Sequence, residues 1–137
     1  MSMFSIFNVS GSAISAQAQR LNVVASNLAN VDAVAGPDGQ AYKARQVVFQ
    51  TALMGSDASA GVRVNGINES QVPGQKILDP SNPNADAQGY VTHSNVNSVE
   101  EMVNMISASR SYQNNVEVMN TAKSLLLKTL QIGQEAH

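Results

Sequence analysis

The sequence contains no cysteine and little charge. Without cysteine there is no disulfide framework, no zinc–thiolate site and no cysteine nucleophile. Charged residues make up 13% of the 137 residues, well under the roughly 25% of an ordinary soluble domain. Eight Lys and Arg residues stand against ten Asp and Glu without a basic cluster, which argues against a nucleic-acid partner. No apolar run reaches the length of about 20 residues that a bilayer span requires.

Uncharged polar side chains take the place of the missing charges. Ser, Asn and Gln together supply 41 of the 137 residues. Such side chains form hydrogen bonds without the desolvation cost of an ion, so they suit surfaces that end up against other protein. The first nineteen residues carry no charge, and Ser and Asn interrupt their apolar pairs. We therefore expect no cleaved secretory signal, which needs an unbroken apolar core of about 7 to 15 residues.

The chain divides into three predicted segments at 1–31, 32–97 and 98–137. In the first, apolar or small residues alternate at spacings of three and four, as in a heptad seam. This pattern predicts a helix over about 5–30, with one large and one small register, so that a partner helix can approach closely. The predicted seam consists of Phe4, Phe7, Gly11, Ile14, Ala18, Leu21, Ala25 and Leu28.

The last segment shows a second helical pattern. Ser98 followed by Glu101 predicts a capping box at its start, and Gly133 predicts the C-cap at its end. Residues at helical spacing between them predict the second half of the seam and the assembly interface. They are Met102, Ile106, Tyr112, Val116, Met119, Leu126 and Leu130.

The middle segment is punctuated by glycine and proline. The sequence GPDG at 36–39 predicts a turn, and DPSNPNAD at 79–86 predicts a loop. Short extended stretches are predicted at 42–49, 62–67, 75–78 and 89–92. They can support one small sheet of three or four strands against one end of the helix pair.

The predicted fold class is mainly α with a small β region. The long terminal helices pair as a coiled coil, and the middle segment is short, loop-rich and partly β. Packing on a single helix of the same chain would leave the first helix only marginally stable, because the burial of its large seam residues and its backbone hydrogen bonds together only about balance the entropy lost on ordering it. We therefore expect contacts from other chains to hold it.

No set of residues predicts catalysis, a cofactor or a metal. The two histidines, His93 and His137, lack neighbouring acidic or serine motifs of triad or zinc spacing. The stretch from Asp79 fails as a calcium loop because Pro83 and Tyr90 occupy positions that require oxygen ligands. An enzyme is therefore the least favoured class, and we expect no small-molecule substrate.

Several stretches resemble one family. VASNLANVD at 24–32 is similar to the Asn-rich signature of the bacterial flagellar axial proteins, the rod and hook proteins. YKARQVVFQ from Tyr42, GVRVNGINES from Gly61, DPSNPNADAQGYV from Asp79 and the last helix are similar, more narrowly, to proximal-rod subunits. The middle lacks the long inserted domains of hook and distal-rod relatives. The central signature residues are Ala25, Ser26, Asn27, Leu28, Ala29 and Asn30.

The resemblance implies a structural subunit that is exported by the flagellar type III apparatus without cleavage and added to a helical rod in the periplasm. Its implied partners are copies of itself, other rod subunits, membrane-ring components at the base of the rod and the export apparatus. Two alternatives stay open at this point. One is another axial subunit of distal-rod or hook type, and the other is a soluble coiled-coil adaptor or secretion chaperone.

Overall fold

A computed structural model describes residues 3–54 and 59–135 of the chain. Two long helices frame a small β region, which confirms the predicted mainly α class. The outermost residues of the predicted segments 1–31 and 98–137, including His137, lie outside the described residues. In chain order the elements are α1 (Met3–Ala29), β1 (Arg45–Leu53), β2 (Ala60–Glu69), β3 (Lys76–Leu78), β4 (Tyr90–Thr92) and α2 (Ser98–Glu135).

The start of α2 differs in detail from the predicted capping box. The cap is Asn97, whose side-chain Oδ1 accepts the backbone N–H groups of Val99 at 3.1 Å and Glu100 at 3.2 Å. Asparagine at this position satisfies donors that the first helical turn leaves free. The carboxylate of Glu101 points into the protein instead of back to the cap. At the other end, α2 continues through Gly133 to Glu135, so the predicted C-cap is wrong.

The longer strands form an antiparallel hairpin that lies along α1. Arg45 pairs with Glu69 at its open end, and the register shifts between Val48 and Phe49. Ser12 of α1 accepts the backbone N–H of Val62 at 3.1 Å. The hairpin therefore packs along the length of α1, whereas the sequence predicted strands at one end of the helix pair.

The shorter strands form a separate sheet. β3 and β4 pair antiparallel with each other, and Val34 forms a bridge to His93 beside them. The single sheet predicted from the sequence is therefore wrong. Asn95 binds the backbone beside the base of the hairpin, where Ser70 N–H still donates to the carbonyl of Ala44 at 2.8 Å. The Oδ1 of Asn95 accepts from Ala44 N–H at 2.6 Å, and its Nδ2 donates to the carbonyl of Val72 at 2.7 Å.

The loops between these elements are closed by local hydrogen bonds. The predicted turn at 36–39 is confirmed, with the N–H of Gly39 donating to the carbonyl of Gly36 at 2.9 Å. Gly39 has φ of 75°, a backbone angle that favours glycine. In the loop before β4, the Asp86 carboxylate accepts the N–H groups of Gln88 and Tyr90, each at 2.9 Å.

The core consists of small side chains. The buried apolar residues of the described part of the chain are Ala16, Val24, Ala35, Val91, Ala108 and Ala122. Small residues on facing helices let the two backbones come close, because little side-chain volume separates them. Many of the larger apolar side chains are exposed on the surface, especially on α2.

Candidate functional site

The two helices pack antiparallel along most of α1. A Cβ atom added to Gly11 would lie 3.6 Å from Cε of Met119. At the other end of the pair, Val24 of α1 and Glu101 of α2 line the same cleft. Gly11 thus lies where α1 contacts α2.

The covered face of α2 follows a regular row. Its members are buried or half-buried, and they alternate at spacings of four and three residues, which is the pattern of a helix seam. The row contains three of the predicted positions. It consists of Glu101, Met105, Ala108, Tyr112, Asn115, Met119, Ala122 and Leu126.

The predicted seam residues divide between covered and exposed positions within one chain. Half-buried members are Phe7, Gly11, Ile14, Ala18, Leu21, Leu28, Tyr112, Val116, Met119 and Leu126. Exposed members are Phe4, Ala25, Met102, Ile106 and Leu130. Within residues 3–54 and 59–135, no segment of the chain covers the second group.

The sequence did not reveal the most buried residues of α1. These are Ser10, Ala16, Val24 and Asn27. Ser10, Val24 and Asn27 are each displaced from the predicted row by one residue, about 100° around the helix, and Ala16 lies nearly opposite the row. The reason is that α1 has two neighbours, α2 on one side and the hairpin on the other. The positions between the two contacts are covered best, whatever their hydrophobicity.

Asn27, in the middle of the Asn-rich signature, fastens α1 to the hairpin. Its side chain is 0% exposed, and both its oxygen and its nitrogen form hydrogen bonds. Oδ1 accepts the hydroxyl of Tyr42 at 2.7 Å and the N–H of Arg45 at 3.0 Å, and Nδ2 donates to the carbonyl of Arg45 at 2.8 Å. The hydroxyl of Ser26 lies 3.2 Å from that of Tyr42. Asn30 donates to the carbonyl of Ser26 at 2.8 Å, near the end of α1.

Large apolar side chains are exposed along α2. One group lies in the first turns and a second in the last turns, where leucine occurs on several sides of the helix. A helix end that is apolar on several sides is typical of a segment that is buried in an assembly. The exposed residues are Val99, Met102, Val103, Ile106, Val118, Leu125, Leu127, Leu130 and Ile132.

An open cleft of about 710 Å³ lies between α1, the first turns of α2 and the base of the hairpin. Arg20 lines it from α1, and Glu100 and Glu101 line it from α2. At its edge Arg45 forms an ion pair with Glu69 at 3.8 Å, the one ion pair among residues 3–54 and 59–135. Glu101 is 8% exposed, and its Oε2 has no hydrogen-bond partner in the described structure.

The described residues meet the requirements of neither a metal site with three or more such ligands nor a membrane-spanning helix. Within 3–54 and 59–135, no group of three or more His, Asp or Glu side chains is placed to hold a metal ion. No helix in that part of the chain combines the length and hydrophobicity needed to cross a membrane. The surfaces that stand out are therefore the helix pair, the apolar face of α2 and the cleft.

Comparison with known proteins identifies the family. Residues 7–37 match the family model for flagella basal body rod protein, and residues 87–132 match the C-terminal model of flagellar basal body rod FlgEFG proteins. The chain is 58% identical over 134 residues to the flagellar basal-body rod protein FlgC of Escherichia coli, covering 98% of this chain and 100% of that protein. FlgC of Salmonella typhimurium is 57% identical and FlgC of Yersinia enterocolitica 59% identical, with the same coverage. The chain therefore belongs to the FlgC family of flagellar basal-body rod proteins.

Proposed function

We propose that the chain is a structural subunit of the proximal rod of the bacterial flagellar basal body. It polymerises with copies of itself and other rod subunits into a hollow helical shaft that transmits torque. It reaches the periplasm through the flagellar type III export apparatus without cleavage. Its role is mechanical and requires neither catalysis nor a cofactor.

The distribution of apolar side chains is the observation that carries this proposal. Among the described residues, the buried apolar side chains are all alanines and valines, while nine large apolar side chains of α2 are exposed. Burial of each would contribute roughly 1.5 to 3 kcal/mol. An isolated chain forgoes that stabilisation, and neighbours packed around the helix pair would recover it. A contact that does not close on itself builds a helix of subunits, which is the architecture of a rod.

Replacement of Leu21 by Asp tests the role of the helix pair. Leu21 is half-buried on the large register of α1, so a carboxylate there would have to be desolvated in the assembly. In a strain without the native chain, we expect Leu21→Asp to be exported but not incorporated into basal bodies, and swimming in soft agar to be lost. Asn22→Asp adds the same charge at the adjacent exposed position and should preserve swimming. Normal motility of the Leu21→Asp strain would contradict the seam assignment.

The adaptor alternative predicts a different species in solution. A closed coiled-coil dimer would sediment as a dimer at micromolar concentration and would protect both helices from protease. The rod proposal predicts a monomer whose α2 is cut early beyond about Met119, where most side chains are exposed. Sedimentation and limited proteolysis of the purified chain distinguish the two.

A further inference from the structure

The carboxylate of Glu101 is buried without a counterion. It is 8% exposed, Oε2 lacks any hydrogen-bond partner, and the one ion pair of the described residues is Arg45 with Glu69. Removing an ionised carboxylate from water is costly unless another group compensates for the lost hydration. The isolated subunit therefore has a buried carboxylate oxygen without a partner at the wall of the cleft.

The side chains around Glu101 do not supply that compensation. Asn95 uses its amide on backbone groups of the neighbouring loops. Arg20 lines the same cleft from α1 but is not within ion-pairing distance of a carboxylate in the described structure. Three carboxylates, those of Glu69, Glu100 and Glu101, face two guanidinium groups across the cleft. The charge surplus is negative, so the group that completes the cleft should be a cation.

The far end of the helix pair presents matching chemistry. Lys123 and Lys128 lie in the last turns of α2, among the exposed side chains of Leu125, Leu127 and Leu130. No acidic residue lies between Val118 and Gln134. Since residues 87–132 match the C-terminal model shared by FlgEFG proteins, related subunits carry a C-terminal segment of the same type.

We propose that the cleft receives the lysine-bearing, leucine-rich end of a neighbouring rod subunit's C-terminal helix, with Glu101 as the counterion of the lysine. The inference rests on the proposed rod function and adds the partner segment and its acceptor site. A cleft of about 710 Å³ has room for several side chains of such a helix. Because the cleft and the donor helix end lie at opposite ends of the subunit, the contact is heterologous and propagates along a polymer.

Glu101→Gln tests the acceptor, with Glu117→Gln as the matched control. Glu117 is an exposed glutamate on α2 that does not line the cleft. Removing the buried charge should leave the thermal stability of the free chain equal to the native value or higher. It should lower the amount of chain per isolated basal-body base about tenfold or more, the effect of losing a hydrogen bond to a charged group. Glu117→Gln should be incorporated at the native level.

Three outcomes would overturn the inference. Native incorporation of Glu101→Gln would show that the carboxylate has no partner in the rod. A less stable free chain would show that Glu101 pairs within its own subunit, for example with Arg20. An equal loss with Glu117→Gln would show that any lost negative charge on α2 impairs assembly.

A photo-crosslinking residue at position 72 identifies the occupant. Val72 lines the cleft and is well exposed, so its replacement should not disturb the fold. In assembled basal bodies we expect cross-links to a lysine-containing C-terminal helix peptide of a neighbouring subunit, whether a copy or a relative. The same residue at Leu78, exposed in the second sheet away from the cleft, should not give that peptide.

Cross-links from position 72 only to other segments or to the same chain would overturn the proposed occupant. Absence of the native chain from isolated basal bodies would refute the rod function itself, and this inference with it. The two failures are therefore distinguishable, because the second is visible before any variant is made.

Discussion

Asn27 binds Arg45 as a neighbouring strand would, through both the N–H and the carbonyl of its backbone. The two contacts measure 3.0 Å and 2.8 Å. A helix residue thus supplies hydrogen-bond partners to both backbone groups of the first residue of β1. The guanidinium of Arg45 lies 5.9 Å from the ring centroid of Tyr42, whose hydroxyl also donates to Asn27. The Asn-rich signature therefore has a role inside the subunit, which is to fix the hairpin on α1.

Asn27→Ala should destabilise the free chain by about 2 to 4 kcal/mol, because it leaves the backbone N–H and carbonyl of Arg45 without partners and removes one of the two partners of the Tyr42 hydroxyl. Asn27→Asp keeps the acceptor but buries a carboxylate whose second oxygen faces the carbonyl of Arg45, so it should destabilise the chain at least as much. Urea denaturation followed by circular dichroism measures both. Asn22→Ala, an exposed asparagine of the same helix, should change stability by less than about 0.5 kcal/mol. Equal effects at positions 22 and 27 would contradict the anchoring role.

Gly11 should accept alanine but not valine. A single Cβ would stand 3.6 Å from Cε of Met119, an ordinary contact, and alanine favours the helix by up to about 1 kcal/mol. The branched carbons of valine have to displace Met119 or separate the helices, at a cost of about 1 to 3 kcal/mol. We expect Gly11→Ala to keep or raise the melting temperature and swimming, and Gly11→Val to lower both. Equal behaviour of the two variants would exclude close helix contact at this position.

Gly74→Ala should disrupt the second sheet. A Cβ at Gly74 would overlap the backbone carbonyl oxygen of His93, which cannot move as a side-chain end can. We expect a loss of about 1 to 3 kcal/mol in chemical denaturation. Gly66→Ala is the control, because nothing lies within 4 Å of a Cβ at Gly66. If both alanines are tolerated equally, the close approach of Gly74 to His93 is not maintained in solution.

The loop before β4 should loosen in acid. The N–H of Tyr90 is the main cause that lowers the pKa of Asp86, and the N–H of Gln88 and the charge of Lys76 act in the same direction. A carboxyl with a lowered pKa stabilises the fold fully above the unfolded value of about 3.9, and that contribution is lost as the pH falls through the lowered pKa. As the pH falls through the lowered pKa of Asp86, hydrogen exchange of the Tyr90 amide should therefore become faster relative to exchange of amides outside the loop. Asp86→Asn should abolish that acid-specific difference, whereas Asp38→Asn in the earlier turn should keep it.

The helices and the turn at 36–39 could be predicted because their signals are local. Apolar periodicity marks a helix wherever its neighbours lie, and proline and glycine mark a turn by their own backbone preferences. The start of α2 at Ser98 was found by the same reasoning. The cap itself was assigned one residue too late, because Asn97 and Ser98 are both good capping residues and only the hydrogen bonds distinguish them.

The arrangement of the strands and the true burial of α1 could not be predicted. Both depend on contacts between distant residues, such as Ser12 with Val62 and Asn27 with Arg45. Treating α1 as a helix with a single partner in its own chain omitted the hairpin on its other side. The burial of Glu101 could not be predicted either, because a glutamate three residues into a helix pattern is typical of an exposed capping box. Its burial at the wall of a cleft is a tertiary feature.

Because the described residues form a single ion pair, the fold should respond little to dissolved salt. Arg45 and Glu69 are both about half exposed, and such pairs add little to stability. Dissolved salt acts mainly by screening exposed charges, so a fold that depends on so few of them has little to lose. The subunit should therefore keep the same shape in dilute and in saline media.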